Sequence, residues 1–220
     1  MDYKMLSGTV LFRGCSQEDI REMLACLGAR VRRFGKGEAI LRAGDTAAFM
    51  GLVLSGAVNI EYNDIWGGRA ILGRSGPGDM FAETYAFTPG ERLMVSVTAA
   101  EASEALTIEA RRIISSCPGS CAHHAVLVRN LLQAAAQKNL ELSRRILHTT
   151  PKSIRGRLLS YFSEQVSRSG SCCFTIPFNR QQLADYLGVE RSALSAELSR
   201  MRADGLVEYD RSSFSIKCEL

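Results

Sequence analysis

The chain has no apolar run near the ~20 residues that cross a bilayer, so no membrane-spanning helix is expected. Its opening, MDYKMLSGTVLF, has neither a basic stretch ahead of a long apolar core nor a small-residue cleavage site, so no secretory leader is read there. A soluble, cytoplasmic protein with no membrane partner is the expectation. An evenly paired cysteine framework is also missing. The seven cysteines are scattered, apart from Cys117 with Cys121 and the neighbours Cys172 and Cys173, which excludes a small secreted disulfide scaffold and favours reduced thiols. There is no basic tail. The net charge is +4, with 17 basic against 15 acidic residues through position 150 and 10 against 8 after it. Nucleic-acid contact would therefore come from the placement of a few arginines rather than from bulk charge. No nucleophile–base–orienter set stands out, so no enzyme is expected. What is present is core: 46% of the 220 residues are hydrophobic, enough for one large or two modest domains.

Residues 16–28 read as a short helix, capped by Ser16 and ended by Gly28, with Ile20, Met23, Leu24 and Leu27 inward. The apolar period then changes to two. Strands are expected at 30–34, 38–42, 49–54, 57–62, 69–73, 93–99 and 102–109, separated by glycine-rich turns. That spacing indicates an all-β sandwich or barrel. Gly37, Gly44, Gly56 and Gly78 are expected to serve its tight corners, because glycine takes positive φ without strain. At Cys117-Pro118 the period returns to 3.6, and one helix runs to about residue 147. Val128, Leu131, Ala135, Leu142 and Ile146 form a near-heptad seam along it, interrupted at Lys138 and Asn139. A second copy of the chain is the most economical partner for that seam, with part of the helix packing on its own barrel. His148-Thr149-Thr150-Pro151 breaks the helix and reads as a hinge.

Beyond the hinge, a helix from Ser153 places Ile154, Leu158, Tyr161, Phe162 and Val166 inward, and a short strand follows at 172–176. Asn179 and Gln182 then form a capping box for a helix that buries Leu183, Ala184 and Leu187. Gly188, Val189 and Glu190 make a turn. A second helix buries Leu194, Leu198 and Met201 and stops at Gly205. Two short helices joined by a three-residue turn with glycine are a helix-turn-helix, whose second helix enters the DNA major groove. Residues 206–209 and 213–217 around Asp210-Arg211-Ser212 read as a β-hairpin wing.

The order of parts resembles the CRP/FNR superfamily of bacterial transcription regulators. The resemblance rests on Phe34-Gly35-Lys36-Gly37-Glu38, Gly44-Asp45, Leu52-Val53-Leu54-Ser55-Gly56-Ala57-Val58, Gly76-Pro77-Gly78-Asp79-Met80-Phe81-Ala82-Glu83, and the stretch from Asn179 to Val207. It covers nearly the whole chain. It implies an α+β protein with three parts: an effector-binding β-roll of the jelly-roll-like, cyclic-nucleotide-binding type at 1–116, a long dimerisation helix at 117–148, and a winged helix-turn-helix at 149–220. It further implies a homodimer that reads an inverted repeat in double-stranded DNA, with RNA polymerase as a further partner. On this reading Arg191, Ser192, Ser195 and Ala196 face the bases. Arg180, Gln181, Ser199, Arg200 and Arg202 hold phosphates, and Arg211 does so from the wing. The family's usual recognition helix has Glu at Ser192 and often Arg at Ala196, so the half-site should differ from the common one.

The effector end departs from the pattern. Cyclic-nucleotide binders follow a Gly-Glu pair, about ten residues on, with Arg and then Ser or Thr. Here the pair is Ala82-Glu83, and Arg92 is followed by Leu93 and Met94. Cyclic AMP is therefore not expected, and Arg92 can simply pair with Glu83 or Glu91. The candidate effector pocket comprises Glu83, Thr84 and Arg92 with Lys138, Asn139 and Leu142 of the long helix, for an unknown small molecule. Cys15 and Cys26 are too few and too far apart for the family's iron–sulfur cluster. Cys117, Cys121 and His124 would share one helical face, within about 60° of one another. Thiolate and imidazole suit zinc or haem iron, and thiol redox chemistry is a further option. The alternative is a pair of small buried cysteines beside surface histidines. A metal-, haem- or redox-sensing module controlling a protein partner is the rival function, against which the helix-turn-helix and wing argue.

Overall fold

In a computed structural model of the chain, the described residues are 1–64, 66, 68–114 and 122–217, without the side chains of residues 69, 122 and 123. They form two compact units, residues 1–136 and 137–220, that divide inside the long helix.

The first unit begins with α1 (Tyr3–Ser7) and α2 (Gln17–Cys26). Ser16 caps α2 in a reciprocal capping box with Asp19. The strands follow as β1 (Arg30–Phe34), β2 (Ala39–Leu41), β3 (Phe49–Ser55), β4 (Val58–Asn63), β5 (Arg69–Ser75), β6 (Met80–Phe81), β7 (Ser96–Ala99) and β8 (Ser103–Glu109). A short α3 (Glu83–Ala86) follows β6, α4 (Ala110–Ile114) follows β8, and the long α5 (Ala122–Thr149) starts in this unit. The strands pair into two four-stranded antiparallel sheets, ordered β1-β8-β3-β6 and β2-β7-β4-β5. One core, with Phe34, Leu41, Val53, Val58, Phe81, Leu93 and Val97, lies between the sheets. A second, with Phe12, Ile20, Met23, Met50, Leu106, Ile108 and Leu127, joins the first sheet to α1, α2, α4 and the start of α5.

Two glycines are required by this packing. A Cβ on Gly51 would stand 2.0 Å from the Phe81 ring, so only hydrogen lets that ring lie across β3. Gly56 turns β3 into β4 at φ +73°, and a side chain there would meet Ser103 Oγ at 2.4 Å. Gly37, Gly44 and Gly78 also have positive φ, as their corner roles require. The buried Asn130 of α5 donates to the carbonyls of Leu11 and Arg13, at 3.0 and 2.9 Å, tying the N-terminal segment down.

The second unit contains the end of α5, α6 (Ile154–Ser169), β9 (Cys173–Thr175), α7 (Arg180–Leu187), α8 (Arg191–Ala203), β10 (Val207–Asp210) and β11 (Ser213–Ile216). Its sheet is ordered β10-β11-β9, with Glu208 opposite Ser215 and Phe214 opposite Phe174. Leu158, Phe162, Leu183, Leu187, Leu194, Leu198, Met201 and Phe214 form its core.

Three expectations are corrected. Leu131 is half-buried against the first unit's core, and Leu132, 69% exposed, takes its place on the outward row. Cys15, Cys26 and Cys173 carry thiols, but Cys172 is disulfide-bonded, so the cysteines are not all reduced; its partner lies outside the described residues. Arg92 does not simply pair with a neighbouring carboxylate: it donates to the Gly44 carbonyl at 2.7 Å.

Candidate nucleic-acid interface and effector region

The two helices of the helix-turn-helix, α7 and α8, are fixed at their ends by their own sequence. Asn179 accepts from the Gln182 amide at 2.9 Å while Gln182 accepts from the Asn179 amide at 2.8 Å. Gly188 ends α7 in the left-handed conformation, and its amide reaches back to the Ala184 and Asp185 carbonyls. Arginines from outside the motif close the turn. Arg157 of α6 donates to the carbonyls of Pro151 (2.9 Å), Leu187 (2.9 Å) and Gly188 (3.1 Å). Arg145 of α5 donates to Tyr186 and Asp185 carbonyls, both at 3.2 Å.

The inner face of α8 is apolar except for Glu197. That carboxylate is 8% exposed and sits between Arg155 of α6, at 2.6 Å, and Arg200, at 2.8 Å. Arg155 continues to Asp204 at 2.7 Å, so one guanidinium anchors the middle and end of the helix. The sequence pattern did not single out Glu197 or Arg155. A charged residue on the buried stripe, at 197 between Leu194 and Leu198, was the available signal.

The outward face of α8 carries Arg191, Ser192, Ala196, Ser199 and Arg200, all exposed, with Ser195 half-buried. The Ser199 hydroxyl donates to the Ser195 carbonyl at 3.1 Å. Three of the residues expected to hold phosphates also have partners within the second unit. Gln181 donates to Asp185 at 2.9 Å. Arg180 lies over Tyr209 and Phe214, 4.9 and 5.5 Å from their centroids, and burial draws its pKa below the ordinary arginine value. Arg202 stacks on Tyr209 at 3.9 Å, pairs with Glu208 at 3.1 Å and donates to the Tyr209 carbonyl. These two cations are thus built into the wing. Arg211 stands at the wing turn, exposed, with φ +50°.

Another group of charges lies where α5 meets α6 and α7. His148 is 2% exposed; its Nε2 is 3.1 Å from Glu164, and its Nδ1 is 2.9 Å from the Tyr186 hydroxyl. Burial holds the imidazole pKa below its usual value, although Glu164 opposes this. Arg144 pairs with the same carboxylate at 3.0 Å. Beside it a cavity of about 330 Å³ is walled by Tyr161, Glu164, Arg168, Phe178 and Tyr186.

In the first unit, Ala82 takes the left-handed conformation, φ +61°, immediately before α3. Glu83 is half-buried, Thr84 and Arg92 are exposed, and Met94 is 69% exposed. Lys138, Asn139 and Leu142 lie exposed on α5 in the second unit. Cys117 and Cys121 lie outside the described residues, and His124 is half-buried near the start of α5. Among the described residues no three His, Cys, Asp or Glu side chains gather as a metal site would require, and no helix is long and apolar enough to cross a membrane.

Known proteins carry the same two parts. Residues 31–117 match the cyclic nucleotide-binding domain model, and residues 156–218 match the Crp-like helix-turn-helix domain model. The cyclic AMP receptor protein of Thermus thermophilus is 26% identical over 211 residues, 92% of this chain and 89% of that protein. The chain belongs to the CRP/FNR superfamily. Solved structures share the fold. The catabolite activator protein of Thermus thermophilus is 22% identical with TM-score 0.53, covering 95% of this chain and 94% of that one. The c-di-GMP responsive regulator CLP of Xanthomonas campestris is 19% identical with TM-score 0.54, at 91% and 99% coverage. CprK complexed with OCPA is 16% identical with TM-score 0.60, at 90% and 88% coverage. This CRP/FNR chain is thus a DNA-binding transcription regulator with an effector-binding domain.

Proposed function

We propose that this CRP/FNR chain acts as a homodimer that reads an inverted repeat in double-stranded DNA and answers a small-molecule or redox effector other than cyclic AMP. The outward face of α8 carries the DNA reading: small groups leave room at base edges, and Arg191 stands at the N-terminal turn, where recognition helices meet bases. Arg191 suits a guanine, while Arg200 and Arg211 suit phosphates.

The apolar row on α5 supports the dimer. Val128, Leu132, Leu142 and Ile146 are 41%, 69%, 61% and 64% exposed. With Ala135 and Asn139 they recur at alternating intervals of four and three, the a/d spacing of a two-stranded seam, and Asn139 is the single polar position that sets register. Two winged helices on such a dimer would address half-sites about one DNA turn apart. Against cyclic AMP stand the methyl of Ala82, the Arg92 bond to the Gly44 carbonyl, and the buried aliphatic Leu93 where a hydroxyl is expected.

Sedimentation and duplex titration test the reading together. The full chain should sediment as a dimer and bind DNA with a salt-dependent affinity. A charge at Leu142 (Leu142→Lys) should yield monomers and weaken palindromic sites far more than half-sites. A monomeric wild-type chain, or binding indifferent to half-site symmetry, would reject it.

A further inference from the structure

The first turn of α8 carries a carboxylate that DNA approach would be expected to disfavour. Glu190 is exposed and caps the helix. Its Oε2 accepts from the Ser192 amide at 2.7 Å and from the Ser192 hydroxyl at 2.5 Å. Those bonds hold the carboxyl below its ordinary pKa, so it is ionised at neutral pH. The arrangement fixes the polarity of the turn. The single Ser192 hydroxyl proton is committed to Glu190, leaving only lone pairs to face outward. Glu190 likewise presents only acceptors, and Arg191 between them presents only donors. Capping alone does not account for glutamate, because Ser, Thr, Asp and Asn are the favoured caps.

We propose that Glu190, with the Ser192 hydroxyl it orients, determines specificity by selecting a cytosine amine next to the guanine read by Arg191. This rests on the DNA reading above. In the major groove cytosine shows the N4 amine with no acceptor on the same base. Adenine sets N7 beside its amine, guanine shows N7 and O6, and thymine shows O4. A carboxylate facing N7, O6 or O4 sets lone pair against lone pair. The residue therefore rejects three bases as well as accepting one.

Selection from a random duplex library, followed by competition titrations on single-base variants of the enriched site, tests this with the full chain and two variants. Glu190→Ser keeps a cap, and Glu190→Gln keeps the length without the charge. The wild type should prefer cytosine at one position by about tenfold, the scale of one mismatched base pair. Both variants should flatten that preference, keep the Arg191 guanine, and bind random duplex more tightly because a negative charge has left the DNA-facing surface. An unchanged preference in both variants, or a wild type favouring guanine or thymine there, would overturn the proposal. A wild type that enriches no sequence would overturn the DNA reading itself, and this inference with it.

Discussion

The helix-turn-helix and the segment from Gly78 to Met94 both display side chains from a held backbone, but what they display differs. In the helix-turn-helix every backbone device is in place: the Asn179–Gln182 box, the left-handed Gly188, and the buried Leu194, Leu198 and Met201. Its outward face sets small groups beside Arg191 and Arg200. In the Gly78–Met94 segment a left-handed position is also used, φ +61°, although Ala82 rather than glycine fills it. Beyond Arg92 the segment is apolar: Leu93 is 3% exposed in the core and Met94 is 69% exposed. Backbone geometry at a site is held by packing behind it, whereas displayed chemistry can be exchanged at little cost to the fold. A fold match therefore carries the DNA end of this chain further than its effector end.

The largest effect should follow from breaking the packing behind the helix-turn-helix. Phe162 is 1% exposed and lies 4.9 Å from the Phe214 ring. Phe162→Ala should cost about 3–5 kcal/mol, much of a domain's stability. Denaturant titration should show early unfolding of the second unit together with loss of DNA binding. Changing the display alone should be milder and sharper. Arg191→Ala should lose about 1–3 kcal/mol of discrimination at one base pair. Arg200→Ala should weaken all sequences alike and by less, because Glu197 already holds that guanidinium at 2.8 Å. Titrations against the preferred site and its single-base variants separate the two.

The comparison can also be sharpened in the first unit. Ala82→Gly removes a methyl from a left-handed position and should stabilise that unit by about 1 kcal/mol, read as a higher denaturant midpoint. If the midpoint falls, the segment's backbone is not held as described. The smallest effect expected is on pH. His148 is buried with its pKa below the ordinary 6.5, so the unfolded chain binds its proton first as pH falls. The stability tied to neutral His148 is complete above about pH 6.5 and is lost on acidification through the lowered folded value. Comparing midpoints of wild type and His148→Gln from pH 7.5 to 5 should show the steeper decline in the wild type.

Local rules made much of this legible in the sequence. Caps, left-handed glycines and alternating strands depend on neighbours in the chain, and Asn179, Gly188, Gly56 and the main strands stand where the sequence puts them. Short α1, α3 and α4 gave too few residues for a helical period to show, and the two-residue β6 too few for alternation. Which side of α5 faces its own unit turns on packing with α1 and α2, which draws Leu131 inward and leaves Leu132 outward, and helical spacing alone does not separate the two. The engagement of Arg180 and Arg202 with Tyr209 joins an arginine to a strand that pairs only after folding. Glu197 and Glu190 were visible as charges but not as a helix anchor and a hydroxyl clamp, because those roles depend on Arg155 and on the direction of one serine proton.

The most direct test is a selection from random duplex DNA with the full chain, run in parallel with Arg191→Ala. The account predicts a two-fold symmetric site with half-sites about one helical turn apart, and a guanine in each half that Arg191→Ala no longer requires. An unsymmetric or absent consensus, or one identical in the variant, would contradict it.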